Sequence, residues 1–317
     1  MRVLNLVTTP RPFFDQQMEV LEKCGVETEA VAVPGRESTS GGRTPLDYAR
    51  YYPKVLRESL GEYDVVHANY GLTAPFALAQ PKRPIVLSLW GSDLMGRPRP
   101  LVERCAPYFD EVIVMSERMA DEIECEVTVI PHGVDFEKFQ PIDQREAREA
   151  VEWDHDAKHV LFPYHPSREV KDYPKARRIV DTVDDRLNED VRLHVVHGVS
   201  HGELYKYMSA ADALLLTSKW EGSPNSVKEA LVCNLPIIAR DVGDVCERVR
   251  GVRRSFACSS EDELRRKLEL VIEAGERSDG RNQSRELRET VMRDRLLSLY
   301  DSTLDGYSPG DVSQHGL

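Results

Sequence analysis

Apolar residues recur along the chain with two alternating periods. Runs of strand length stand at Val3–Thr9, Val26–Val33, Val65–Ala68, Ile85–Trp90, Val112–Ser116 and Val127–Pro131, with helix-period segments between them. The first helix starts near Phe13, repeats Phe14, Met18 and Leu21 on one face, and meets Gly25 where a helix commonly stops. Such spacing predicts right-handed crossovers and a parallel sheet. The rhythm breaks over His132–Asp143, where Gly133 and Pro141 stand among charged residues, and this stretch is the expected interdomain connection. It resumes with strands at His159–Tyr164, Val191–His197, Ala213–Ser218 and Pro236–Arg240. The pattern predicts an α/β protein of two Rossmann-like domains, residues 1–150 and 151–305. A last helix over about Gln283–Tyr300 is free to pack back on the first domain, and 306–317 is expected to be a disordered tail.

Composition narrows the function. A formal charge of -12 disfavours nucleic acid as a partner, because that binding relies on Lys and Arg meeting phosphates. The six cysteines lie far apart with no C-x-x-C pair, which fits a reducing cytoplasm and no metal site. Met1–Thr9 lacks the basic flank and apolar core of a secretion signal, and nowhere do about eighteen apolar residues run together. The expected location is therefore cytoplasmic. The acidic, lysine-poor balance fits a high-salt cytoplasm, and GC-rich codon usage explains it equally well.

The chemistry concentrates in W-E-G-S-P-N-S-V-K-E-A-L (220–231), directly after the apolar run Ala213–Leu216. In an open parallel sheet, ligands bind beyond the carboxyl ends of strands. Ser223 is placed to cap the following helix and Pro224 to occupy its first position. The amides of Asn225, Ser226 and Val227 then form an anion site suited to a diphosphate, with Gly222 in the loop before them. Glu221 and Glu229 can face one ligand, because helical side chains lean toward the N-terminus. Two carboxylates beside a phosphate need hydroxyl groups to occupy them, and a sugar nucleotide offers both. Taken singly, each glutamate reads as a charge favouring a helix N-terminus, worth a few tenths to about 1 kcal/mol.

This segment resembles the E-x7-E motif of the family-4 retaining glycosyltransferases, which have the GT-B fold with two sheets facing a central cleft. V-V-H-A-N-Y-G (65–71), V-L-S-L-W-G-S-D-L (86–94), V-I-V-M-S-E (112–117), V-I-P-H-G-V-D-F-E-K-F (129–139), A-A-D-A-L-L-L-T-S (210–218) and P-I-I-A-R-D-V-G (236–243) resemble further blocks of that family. The resemblance implies that Glu229 holds the donor ribose and Glu221 approaches the donor sugar, while the amides of Asn225 and Ser226 meet the diphosphate or sugar. It implies that Arg168 and Lys171, in H-P-S-R-E-V-K-D, neutralise the leaving diphosphate. It also implies a nucleotide-sugar donor, a glycan or lipid-linked acceptor, and no further cofactor. V-H-G-V-S-H-G-E-L (196–204) resembles the loop over the nucleotide base.

Two departures concern the first domain. T-T-P-R-P-F-F stands where many members have a Gly-Gly loop, and Pro10 and Pro12 each remove an amide donor. Trp90 stands where many members have a histidine, so its indole is left to stack on a sugar while Ser92 and Asp93 bind hydroxyls. A core Trp90 with Asp93 capping a turn is the competing reading. His67 and Asn69 close the neighbouring strand and complete the acceptor candidates, although a single histidine at a strand end reads more simply as a hydrogen-bonded structural residue. His194, His197 and His201 form no metal set, since alternation puts the first two on opposite faces. Arg97 and Arg99, with Lys82 and Arg83, could meet an anionic membrane surface, and a solvated loop is the plainer reading. A sugar-nucleotide epimerase of the same fold and a non-catalytic sugar-nucleotide-binding protein are the rival functions.

Overall fold

The computed structural model describes residues 1–35 and 43–306. The chain divides into two compact units: Met1–Gly133 with the segment from Thr290 onward, and Val134–Glu289.

In the first unit six parallel strands form one sheet: β1 (Arg2–Val7), β2 (Glu27–Ala32), β3 (Val65–Ala68), β4 (Ile85–Ser88), β5 (Glu111–Val114) and β6 (Thr128–Val129), in the order β2-β1-β3-β4-β5-β6. The second unit holds five more: β7 (Lys158–Phe162), β8 (Val191–Val195), β9 (Ala213–Leu216), β10 (Ile237–Arg240) and β11 (Phe256–Cys258), in the order β11-β10-β9-β7-β8. Every residue of β3, β4 and β9 is buried, because helices cover both faces of a parallel sheet. The strand order reverses between β1 and β3 in one sheet and between β7 and β9 in the other. At such a reversal the loops leaving the two strands part and open a crevice.

The unit boundary falls at Gly133/Val134, not at residue 150. Helix Gln144–Ala150 belongs with the second unit, where Arg148 forks onto Asp212 at 2.8 and 3.0 Å and reaches the Ala210 carbonyl at 3.1 Å. The last helix is Glu289–Gly306, shifted from the expected Gln283–Tyr300. Leu287 turns into the second unit's core, and Val134 pairs with the backbone beside it, so Arg288 is extended and the helix starts later. That helix packs on the first unit, burying Met292, Leu296, Leu299 and Tyr300. Residues 307–317, most of the expected tail, lie outside the described residues.

Candidate functional site

The second unit gathers the residues expected on the donor side around the reversal between β7 and β9. The loop after β7 carries Arg168 and Lys171, and the loop after β9 carries Glu221. Two hydrogen bonds to carbonyls of the first loop hold these loops together. Thr217 Oγ1 donates to the Lys171 carbonyl at 2.8 Å, and the Lys219 amide donates to the Val170 carbonyl at 2.8 Å. Lys171 Nζ donates to Glu221 Oε1 and lies 3.8 Å from the centre of the Tyr164 ring. Burial lowers the Lys171 pKa, and the Glu221 carboxylate opposes that shift. Arg168 is exposed, its guanidinium 5.7 Å from the same ring. Tyr164 had no place in the sequence reading. It is buried, hydrogen-bonds Ser226, and is held protonated by burial, so one ring joins both cations to the helix that follows Glu221.

That helix is Asn225–Val232, and its start differs from the expected cap. Pro224 occupies the capping position, while Ser223 donates its hydroxyl to Asp244 Oδ2 at 2.7 Å. The Val227 amide already donates to the Pro224 carbonyl at 3.1 Å, which leaves the amides of Asn225 and Ser226 at the head of the helix. Glu229 is buried one turn further along, and its Oε1 lies 2.8 Å from His201 Nε2. Glu221, Glu229, Arg168, Lys171 and the loop from Gly222 to Ser226 therefore come together.

A second loop, after β10, supports the first. Gly243 has φ +56°, and a Cβ there would overlap the Gly222 carbonyl oxygen and stand 2.9 Å from that of Glu221. Only glycine lets these backbones approach so closely. Asp244 is buried, receives Ser223 and Arg248 Nε, and its amide donates to the Gly222 carbonyl at 3.2 Å. Lys228 is fully buried on the same helix; burial pushes its pKa down to about 8, against the pull of Asp244.

The acceptor candidates on the first unit separate into two groups. His67 is fully buried between Tyr300 Oη at 2.7 Å and Ser88 Oγ at 2.8 Å, and burial holds its pKa down to about 3. Asp93 is fully buried and accepts from the amides of Gly71 at 3.0 Å and Trp90 at 2.7 Å; burial pushes its pKa up to about 7. Neither side chain reaches solvent, and each ties backbone or helix together, the arrangement of the structural readings that competed with acceptor contact. Asn69, Trp90 and Ser92 remain. Asn69 Nδ2 donates to Asn5 Oδ1 at 2.9 Å, but its Oδ1 is buried without a partner, as is Trp90 Nε1. Trp90 packs on Phe13, ring centres 4.6 Å apart, and Ser92 Oγ bonds Tyr70 Oη at 3.1 Å.

The other singled-out residues have structural partners. His194 bonds His159 at 2.7 Å and stacks on Trp153, and His197 lies against the ring of His165. Among the described residues no three His, Cys, Asp or Glu gather as a metal set. Arg99 pairs with Glu103 and Glu122, which offset its charge, and Arg83 donates to the carbonyls of Gln80 and Lys82. No helix among the described residues is long and apolar enough to cross a membrane.

Residues 6–138 match the model of Glycosyltransferase Family 4, and residues 176–287 that of Glycosyl transferases group 1. TuaC of Bacillus subtilis, named for teichuronic acid biosynthesis, is 26% identical over 57% of this chain and 54% of its own length. The lipopolysaccharide core biosynthesis mannosyltransferase LpsB of Rhizobium meliloti is 27% identical over 45% of this chain and 48% of its own. The chain thus spans about half the length of the curated relatives it matches. Among solved structures, a sucrose-phosphate synthase from Thermosynechococcus elongatus superposes with TM-score 0.75 at 16% identity, covering 97% of this chain and 100% of that one. HepE of Anabaena, solved with UDP and glucose, gives 0.71 at 16% identity over 95% and 100%. These likenesses show the GT-B fold, and with the two family matches, one in each unit, the chain belongs to the family-4, group 1 glycosyltransferases.

Proposed function

We propose that this protein is a retaining, metal-independent glycosyltransferase that moves a hexose from a nucleoside-diphosphate sugar to a glycan, lipid or small-molecule acceptor. The observation that carries this reading is the convergence of Lys171, Glu221, Glu229 and the head of helix Asn225–Val232 at the reversal between β7 and β9. TuaC and LpsB are named for glycan biosynthesis and HepE was solved with UDP and glucose, which supports a sugar-nucleotide donor.

Each residue has a task in that reaction. Glu229 accepts from ribose hydroxyls, and the amides of Asn225 and Ser226, with the helix dipole behind them, receive diphosphate oxygens. When the sugar–phosphate bond breaks, negative charge grows on the leaving diphosphate. Lys171, held by Glu221, is a fixed cation for that charge and needs no reorganisation as it develops, and Arg168 supplies a second cation from the exposed loop. Glu221 is held by Lys171, which favours front-side displacement assisted by the departing phosphate over covalent attack by this carboxylate. On the first unit, Asn69, Trp90 and Ser92 are the remaining candidates for the acceptor, Trp90 through its ring face and Ser92 through its hydroxyl.

Calorimetry with nucleoside diphosphates and their sugars tests the donor reading. Glu229→Ala weakens the donor far more than the acceptor, and an unchanged donor affinity rejects the ribose role. Incubation with donor alone separates the rivals, since an epimerase yields a new sugar nucleotide and a transferase only slow hydrolysis.

A further inference from the structure

Glu229 is not left to find its ligand by itself. His201, in the short 3-10 turn His201–Glu203, places Nε2 2.8 Å from Glu229 Oε1, while Lys138 Nζ lies 3.4 Å from His201 Nδ1. An ammonium has hydrogens to give and no lone pair, so Nδ1 must accept from it and the ring proton sits on Nε2. The direction of the chain follows: Lys138 donates to His201, and His201 donates to Glu229. Further contacts fix the ring. Phe139, 1% exposed, packs its own ring 5.1 Å from the imidazole centre, and Ser200 Oγ caps the turn by accepting from the Gly202 amide.

We propose that His201 is a positioning residue that sets ribose recognition, with Lys138 fixing its tautomer. The proposal rests on Glu229 as the ribose-binding group and adds what holds it. The tether occupies Oε1 and turns Oε2 toward the ribose. It also removes torsional freedom that a flexible glutamate would lose on binding, so the site meets its ligand already ordered. The recognised group is a vicinal ribose diol, and the site should separate ribonucleoside from 2′-deoxyribonucleoside diphosphates by an amount that depends on His201.

The test titrates UDP, ADP and GDP, each beside its 2′-deoxy counterpart, into the full chain by calorimetry. Wild type is expected to prefer the ribonucleotide of at least one pair. His201→Ala should weaken that ribonucleotide about tenfold while changing the deoxynucleotide little, the loss expected when one buried hydrogen-bond partner is removed. His201→Gln, whose amide N–H reaches toward the lost Nε2–H, should restore most of the preference. Lys138→Met should reduce it by a smaller factor, because the ring then samples both tautomers. Equal weakening of both nucleotides by His201→Ala, or an unchanged ratio, overturns the positioning role while leaving the donor site standing. A wild-type chain that binds none of the six, or a Glu229→Ala chain that binds them all normally, overturns the ribose reading and this inference with it.

Discussion

Lys171 and Glu221 sit on loops that leave two different strands, and their side chains are joined by a hydrogen-bonded ion pair only 5% and 13% exposed. Burial works against the charge on this lysine and the Glu221 carboxylate supports it, close to the helix head where the diphosphate is proposed to bind.

Lys171→Ala is expected to lower kcat roughly a hundredfold or more, as removal of other preorganised charge stabilisers does at about 2.7–4 kcal/mol. Arginine does not rescue it, since a planar guanidinium fills a different volume above the Tyr164 ring. Steady-state kinetics decide the matter. Near-normal kcat in Lys171→Ala with abolished activity in Arg168→Ala passes the leaving-group role to Arg168.

Gly243→Ala should cost more than an ordinary glycine replacement. The residue is left-handed, and the new methyl would strike the Gly222 carbonyl, so a loss of about 3 kcal/mol with weakened nucleotide binding is expected. Gly25→Ala is the control, with φ +81° and nothing within 4 Å, and should cost roughly 1 kcal/mol. Similar melting temperatures for the two variants would refute the close approach.

Activity should persist in EDTA, because Arg168, Lys171 and the helix head supply the positive potential in the proposed reaction. Loss of turnover that magnesium or manganese restores would replace this with a metal-assisted mechanism.

Two buried groups in the first unit should bend the stability–pH curve in opposite senses. Native Asp93 keeps its proton to about pH 7 while the unfolded residue loses it near 3.8, so its contribution falls as pH rises through that window. Native His67 stays neutral down to about pH 3 while the unfolded ring protonates near 6.5, so its contribution falls as pH drops through that window. Each slope is about 1.4 kcal/mol per pH unit, and they oppose one another between about pH 4 and 6.5. His67→Gln should leave a melting temperature that declines with rising pH there, and Asp93→Asn one that climbs. Parallel curves for the two variants would contradict the assignment.

The β-strands were the most legible part of the chain, because in a parallel sheet each reads as an unbroken apolar run, as Ile85–Ser88 and Ala213–Leu216 do. Helix Pro45–Ser59 was less so, since Pro53 within it reads as a breaker. Strand β11 is three residues long, too short for alternation to register. At the site, Glu221, Glu229 and Lys171 stood out by spacing and resemblance. His201 meets Glu229 across 28 residues, Tyr164 meets Ser226 across 62, and Gly243 packs against Gly222 across 21, contacts that only the fold brings about. His67 and Asp93 each carried two readings in the sequence, ligand contact or structural hydrogen bond, and the burial that separates the two is set by the fold.

The last helix gives synthesis an unusual schedule. The second unit is one uninterrupted stretch, Val134–Glu289, closed where the Val134 amide meets the Leu287 carbonyl and the Glu289 amide meets the Val134 carbonyl. On the ribosome all of it is synthesised before Tyr300, the partner of His67, has been made. The unit translated first is therefore completed last, and until then the nascent protein carries an open seat where Met292, Leu296, Leu299 and Tyr300 will lie.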